Sequence, residues 1–296
     1  SFNEIGPQLI DNPTFNAPTS PDLIVNGDFT DTGADVVYNG GFDTSIPLGD
    51  VGSGWGNPDG ASVYNLGGCK ITKGVGGYAR LVINTAAGSS VTINTSTSYK
   101  VTYNVLENVG VTSLVAYLAG IVSGNMPIAL GLNTFYVTSG TNTGKNFEFY
   151  NQTDSSNITL TDIVVEPLGA DWTLGTGWSI DSLGATSAGS NEDAYVSQGG
   201  LTVGKSYKVT FDITDYTSGS LSVRVVNDAS ALMVNAVGSY EAYVVPIAST
   251  AIGFRSAGGA GGFVGSFSNI SVQEVDWNFG GGWSLGSNKA LATAAV

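Results

Sequence analysis

No histidine occurs anywhere in the 296 residues. That removes the usual general base of serine and cysteine hydrolases and the commonest zinc ligand. A single cysteine, Cys69, cannot form an internal disulfide, so the fold must be held by its sheets, and cysteine usage leaves the redox compartment open. Only ten Lys and Arg stand against 24 Asp and Glu, for a formal net charge of −14. No basic stripe exists to neutralise phosphates, which argues against nucleic-acid partners and against docking on an anionic membrane. Charged residues amount to 11% of the chain. The acids are scattered: Glu192-Asp193 and Asp212/Asp215 read as solvated loop and outer-face charges, and no pair forms a recognisable catalytic pattern. The glycine-rich stretch Gly258 to Gly262 lacks the Lys-Ser/Thr of a phosphate loop and reads as a turn. The chain is expected not to be an enzyme.

What is abundant is strand and turn material. With 42 glycines and many Val, Thr, Ser, Tyr and Phe, the composition predicts an all-β protein. Two stretches repeat one another 108 residues apart: Ser98 with Tyr99-Lys-Val-Thr-Tyr-Asn-Val105, and Ser206 with Tyr207-Lys-Val-Thr-Phe-Asp-Ile213. The correspondence continues from Ser113–Tyr117 to Ser220–Arg224, from Phe147 to Phe254, and from Asp162-Ile-Val-Val to Asn269-Ile-Ser-Val. Gly-Trp pairs at Trp55 and Trp178 read as module openings, and Asp276-Trp277 to Trp283 echoes Asp171-Trp172 to Trp178. The expected organisation is an extended N-terminal arm over 1–35, a first module over 36–168, a second over 169–275 and the start of a third repeat over 276–296.

Alternation fixes which way the strand residues point. Tyr207, Val209, Phe211 and Ile213 share one face, with Lys208, Thr210, Asp212 and Thr214 on the other; Tyr99, Val101, Tyr103 and Val105 repeat the pattern. One dry and one wet face predict antiparallel sheets packed as a sandwich, best fitted by a jelly roll. Val111 to Leu132 carries no charge, yet its repeat contains Arg224 and Asp228, and Asn125 and Pro127 interrupt it. Two strands and a turn are expected there, not a membrane span. Trp55 and Trp178 are expected in the core.

The order Asn39-Gly-Gly-Phe42, Gly54-Trp55, a Ser-Tyr-Lys-Val-Thr strand and a closing Asp162-Ile-Val-Val strand resembles the jelly-roll carbohydrate-binding-like modules of the family-four and family-nine type. The second module, with Asp171-Trp172, Gly177-Trp178, Val203-Gly-Lys-Ser-Tyr-Lys-Val-Thr-Phe-Asp-Ile and Ser268-Asn-Ile-Ser-Val, looks like the tandem copies found in bacteriophage tail fibres and other virion proteins. The likeness spans most of residues 36 to 275. It implies two tandem antiparallel jelly-roll β-sandwich modules, and either scaffolding or glycan binding, since the sandwich serves both. The leading expectation is a non-enzymatic virion structural protein (a fibre, decoration or capsid cement component) on the particle exterior, with other virion subunits or copies of itself as partners. The alternative is a secreted or cell-surface bacterial glycan-binding array.

Site expectations follow from the strand pattern and the resemblance. Tyr117 is placed on the wet face near Asn104, and its match Arg224 near Asp212, as candidate glycan contacts. The resemblance also implies a structural calcium in the first module, with Asp43 and Asp162 as candidate ligands. Calcium is not expected in the second, where Asn269 replaces Asp162 and no Asn-Gly-x-Phe start precedes the module. No other cofactor is required. Finally, the pattern apolar-apolar-x-Asn-x-x-Phe occurs three times, over Leu9–Phe15, Leu23–Phe29 and Val36–Phe42. Only the last is expected to serve the module that follows it. The first two, with Phe15 and Phe29, are expected to form an assembly arm that adds strands to edges left open elsewhere, in this chain or a neighbour; the alternative is that residues 1 to 35 are relics of duplication lying loosely on the surface.

Overall fold

The structure, a computed structural model, describes residues 20–37, 39–42, 55–65, 67–83, 93–142, 147–189, 194–257, 262–275, 283–286 and 289–292. The chain divides into two compact units: Thr30–Ala170 with Ser179–Ser182, and Ser1–Phe29 with Asp171–Trp178 and Leu183–Val296. Among the described residues there is no helix.

Among the described residues the first module has ten strands. They are β1 (Trp55–Gly56), β2 (Ser62–Asn65), β3 (Gly68–Lys73), β4 (Arg80–Ile83), β5 (Ser98–Val109), β6 (Leu114–Leu118), β7 (Ile121–Asn125), β8 (Gly131–Thr138), β9 (Phe147–Asn151) and β10 (Ser156–Pro167). They form two five-stranded antiparallel sheets, ordered β1-β4-β9-β6-β7 and β2-β3-β10-β5-β8. The second module repeats this with β11 (Thr173–Leu174), β12 (Trp178–Asp181), β13 (Gly184–Ala188), β14 (Tyr195–Gly199), β15 (Ser206–Ser218), β16 (Ser220–Val225), β17 (Leu232–Val234), β18 (Gly238–Val244), β19 (Ala251–Ala257) and β20 (Val264–Val275). Its sheets are ordered β11-β14-β19-β16-β17 and β12-β13-β20-β15-β18. A further hairpin, β21 (Trp283–Gly286) with β22 (Lys289–Ala292), follows.

Each pair of sheets closes on one apolar layer, as the alternation requires. In the first module Tyr99, Val101, Tyr103 and Val105 of β5 meet Leu81, Phe147 and Phe149 of the facing sheet, all buried. In the second, Tyr207, Val209, Phe211 and Ile213 are buried with Phe254 and Phe267. The long aromatic residues interlock at angles: Tyr103 meets Phe149 edge-on at 5.7 Å, and Phe211 meets Phe254 edge-on at 5.3 Å. Cys69 lies in this layer, where burial pushes its thiol up to about 12 and leaves it protonated and inert at neutral pH.

Register corrects two of the expected equivalences. Because Ala116 pairs with Phe149 and Val223 with Phe254, the counterpart of Phe254 is Phe149 and not Phe147. The stretch from β6 to β9 is two residues shorter in the second module, a shift no strand pattern registers. The tryptophans also realign. Trp55 pairs opposite Ile83, donates from Nε1 to the Asn39 carbonyl at 3.1 Å and stacks on Phe42 at 5.3 Å. Trp172 donates to the Asn26 carbonyl at 3.0 Å and lies 5.0 Å from Phe29. The true counterpart of Trp55 is therefore Trp172. Trp178 fills a second core position against Phe263 and Phe267, where the first module has the buried Ser62. Each side chain donates across to the other sheet, Ser62 Oγ to the carbonyl of Arg80 at the start of β4 and Trp178 Nε1 to that of Ala194 just before β14.

These contacts reveal how each module is closed. Val36 donates to the Val165 carbonyl, Ile163 donates to the Gly40 carbonyl, and Asp35 Oδ1 accepts from Val165 and Val37. Leu23 likewise donates to Val272, Ile270 donates to Gly27, and Asp22 Oδ1 accepts from Val272 and Ile24. The second module does have an Asn-Gly-x-Phe start, then; it lies ahead of the first module in the chain. Residues 20–29 of the expected arm belong to the second unit, and Phe29 packs on Trp172 and Phe267. Phe15 lies outside the described residues.

Candidate functional site

The outer face of the β1-β4-β9-β6-β7 sheet carries a cluster of polar and aromatic side chains. Its construction begins at the Asn57-Pro58-Asp59-Gly60 turn. Gly60 adopts φ +66° and donates to the Asn57 carbonyl at 3.3 Å, while the Asn57 amide donates to and accepts from the main chain of Ser62. That turn aims Asp59 at Arg80, the first residue of β4. The guanidinium clamps the carboxylate through two parallel bonds, Nε to Oδ2 at 2.8 Å and Nη2 to Oδ1 at 2.9 Å. Arg80 Nη1 also reaches Glu148 Oε2 of β9 at 3.5 Å. The side-chain bond from Arg80 holds the Asp59 carboxyl below its ordinary range.

Tyr78 stands over this ion cluster. The Arg80 guanidinium carbon lies 5.3 Å from its ring centroid, and the Tyr150 ring of β9 lies 5.9 Å away at 43°. The loop that presents Tyr78 is fixed from below. Lys73, buried, donates from Nζ to the Gly76 and Gly77 carbonyls at 3.3 and 2.7 Å and pairs with Asp154 at 3.1 Å. Tyr78 itself is 66% exposed. The loop's hydrogen bonds to Lys73 leave the Tyr78 ring presented to solvent.

Tyr117 joins the same face. It sits directly opposite Glu148 on β9 and Val122 on β7, one pair of residues along from Tyr150, and is 38% exposed. Tyr78, Tyr150 and Tyr117 thus line one sheet face, with the Arg80, Asp59 and Glu148 cluster among them. Of these six the strand pattern singled out only Tyr117. Three others were within reach: the Asn-Pro-Asp-Gly turn marks Asp59, and the alternation of Phe147-Glu-Phe-Tyr150 turns Glu148 and Tyr150 outward.

The remaining expectations are redistributed. Asn104 lies on β5, in the other sheet, so Tyr117 and Asn104 occupy opposite outer faces of the sandwich and not one wet face. Arg224 on β16 and Asp212 on β15 are separated in the same way. The reason is that the turn after the long strand passes the chain from one sheet to the other, which parity along the sequence does not reveal. Arg224 bonds Ser222 Oγ at 2.9 Å and the Asp228 carbonyl at 3.3 Å, bracing its own hairpin. Asp212 accepts from Asn269 at 2.7 Å, and Asn104 donates to Asp162 at 3.1 Å. The two modules carry one side-chain bridge with its amide and carboxylate exchanged. Asp212 and Asn269 also line a shallow polar groove with Thr210, Ser239, Tyr240 and Glu241.

Asp162 sits at a bulge in β10 with φ +49°, its Oδ2 committed to Asn104. Among the described residues no group of three His, Cys, Asp or Glu side chains converges. Asp43 lies outside them. The described part of the expected calcium pair does not by itself form an oxygen cage.

Among the solved structures similar to this chain are two sets of tandem modules. One is the tandem CBM22 pair at the N-terminus of Xyn10C from Paenibacillus barcinonensis, with 9% identity and a TM-score of 0.29, covering 88% of this chain and 100% of that one. The other is the tandem CBM51 modules of Sp3GH98, a family 98 glycoside hydrolase from Streptococcus pneumoniae, with 7% identity and a TM-score of 0.24, covering 73% and 86%. No family model matches the chain. No curated protein matches it either. No residue role in the site is carried over from these structures.

Proposed function

We propose that the chain is a non-catalytic saccharide-binding array whose first module holds its ligand on the Tyr78, Tyr150 and Tyr117 face. The observation that carries this reading is the exposed Tyr78 ring, backed by Arg80 and held by a buried lysine. Tyrosine rings offer apolar faces to the C–H side of a sugar, and their hydroxyls remain available to its edge. Glu148, bonded to Arg80 only at 3.5 Å, keeps acceptor sites for sugar hydroxyls. Asp59 and Glu148 both face one arginine, an arrangement that suits orientation of a ligand. Titration calorimetry of the whole chain against a panel of soluble polysaccharides tests the reading. Binding is expected, with Tyr78→Ala and Tyr117→Ala each weakening it; binding untouched by both variants would refute the assignment.

A second reading is the virion fibre, decoration or cement component on a particle exterior. It is favoured by Leu130 and Leu132, 71% and 74% exposed at the start of β8, the edge strand of its sheet, as a subunit contact requires. The two readings are compatible, because a particle can carry a glycan-binding array. Sedimentation of the chain separates them: a monomer unaffected by Leu130→Asp and Leu132→Asp removes the support for assembly through this edge.

A further inference from the structure

The strand that closes the second module lies ahead of the first module in the chain, and it is tied to residues 171–275. Leu23 donates to Val272 and Ile270 donates to Gly27, both at 2.9 Å. Ser20 Oγ accepts from the main chain of Glu274, and Asp22 Oδ1 accepts from that of Val272. Asn26 offers its carbonyl to Trp172, and Phe29 fills the space between Trp172 and Phe267. Gln198 reads the strand's main chain from the other side, accepting from Val25 N–H and donating to its carbonyl, both at 2.9 Å. At Gly27 a Cβ would come within 2.0 Å of the Ile270 carbonyl oxygen, so only glycine fits. The segment is joined to the rest of the molecule on its C-terminal side through a short stretch before Asp35.

We propose that this slot is a peptide-binding site, and that its occupant in trans is the same strand, Ser20–Phe29, of a second copy of the chain. The recognition code lies within ten residues: Asp22, an apolar pair, Asn26, Gly27 and Phe29. An identical strand makes the same bonds whichever chain carries it, which is strand addition between copies. The chain's own strand holds the slot by its high effective concentration, so exchange grows with protein concentration. Val36–Phe42 carries the same code: Asp35, Asn39, Gly40 and Phe42 make the matching contacts in the first module, and a Cβ at Gly40 would come within 1.9 Å of the Ile163 carbonyl oxygen. Leu9–Phe15 repeats the pattern but has Pro13 at the glycine position. It is excluded from a slot of this shape.

The test uses the full chain with a protease site inserted between Thr30 and Asp31, cleaved after folding. A fluorescent Ser20–Thr30 peptide in excess should exchange into the cleaved chain at one per molecule, read by anisotropy, and unlabelled peptide should displace it. The Gly27→Val peptide and a Gln8–Asn16 peptide should bind at least a hundredfold more weakly. If the cleaved second module unfolds as its strand leaves, added Ser20–Thr30 should restore its tryptophan emission. Uncleaved chains bearing different tags should co-purify after mixing at high concentration, and Gly27→Val in both should abolish this. Failure of the peptide to enter or to restore the module, or equal binding of the Gly27→Val peptide, overturns the site. Tagged chains that never co-purify overturn the exchange between copies.

Discussion

The two modules share their closing clasp residue for residue and differ on the face that β4 and β9 present. Asp35, Asn39, Gly40, Phe42 and Trp55 of the first recur as Asp22, Asn26, Gly27, Phe29 and Trp172 of the second, with matching bonds. On the outer face the opposite holds. Arg80 pairs across from Tyr150 in the first module, and Tyr195 pairs across from Arg255 in the second, with the two residue types exchanged. Glu148, opposite Tyr117, is replaced by Gly253, opposite Arg224. The first face collects carboxylates and three tyrosines, whereas Tyr195 of the second lies over Gly253. Positions that set closure are repeated, and positions free to vary have been given different chemistry. Binding is therefore expected to belong to one module and stability to both.

The largest effects should come from the clasp. Trp55→Ala and Trp172→Ala should each cost about 3–5 kcal/mol, the loss of a buried indole and its hydrogen bond, and each should lower the melting of its own module alone. Calorimetry resolving two transitions checks this. If both transitions fall together, the modules are not independent in stability. Trp178→Ala should cost a similar amount in the second module, while Ser62→Ala at the equivalent place should cost only about 1 kcal/mol.

The next effect is on binding. Tyr78→Ala should weaken saccharide affinity roughly tenfold, about 1.4 kcal/mol. It should leave stability within about 0.5 kcal/mol, because the ring is mostly in water. Tyr195→Ala, on the equivalent face of the second module, should leave affinity unchanged, and an equal loss there would erase the contrast between the faces.

A smaller effect concerns pH. Arg80 holds the folded Asp59 carboxyl below its unfolded value, so the contribution of the pair is present above the ordinary carboxylate range and is lost as pH falls below about 4 through the folded value. Asp59→Asn should flatten that part of the stability profile of the first module, measured by thermal melts from neutral to acid pH. The smallest is the exchanged bridge. Asn104→Ala and Asp212→Ala should each cost less than about 1 kcal/mol, since both bridges are exposed.

Much of the architecture was legible in the chain because a half-buried antiparallel strand writes its two faces into alternate residues. The directions of Tyr99 to Val105 and Tyr207 to Ile213 follow from that period alone, as does the break of Val111–Leu132 into strands. The outer site was only partly legible. Tyr117 could be read as outward, but Tyr78 comes from a loop without periodicity, and its position depends on Lys73 bonding two glycine carbonyls.

By itself the amino-acid sequence determined that the protein is all-β, built twice over on one pattern and acidic, with no histidine and a single cysteine in these 296 residues. Composition and period are local properties, and each residue carries them wherever it ends up. Only the tertiary structure decided which strands share a sheet, and so that Tyr117 stands with Glu148 and Tyr150 instead of Asn104. Only it decided that Trp172 is the partner of Trp55, and that Leu23–Phe29 closes a module whose last strand lies more than 240 residues away. Such pairings are fixed by fit across space, by a carbonyl too close for any Cβ and a ring that fills one gap, and contacts of that kind leave no period along the chain.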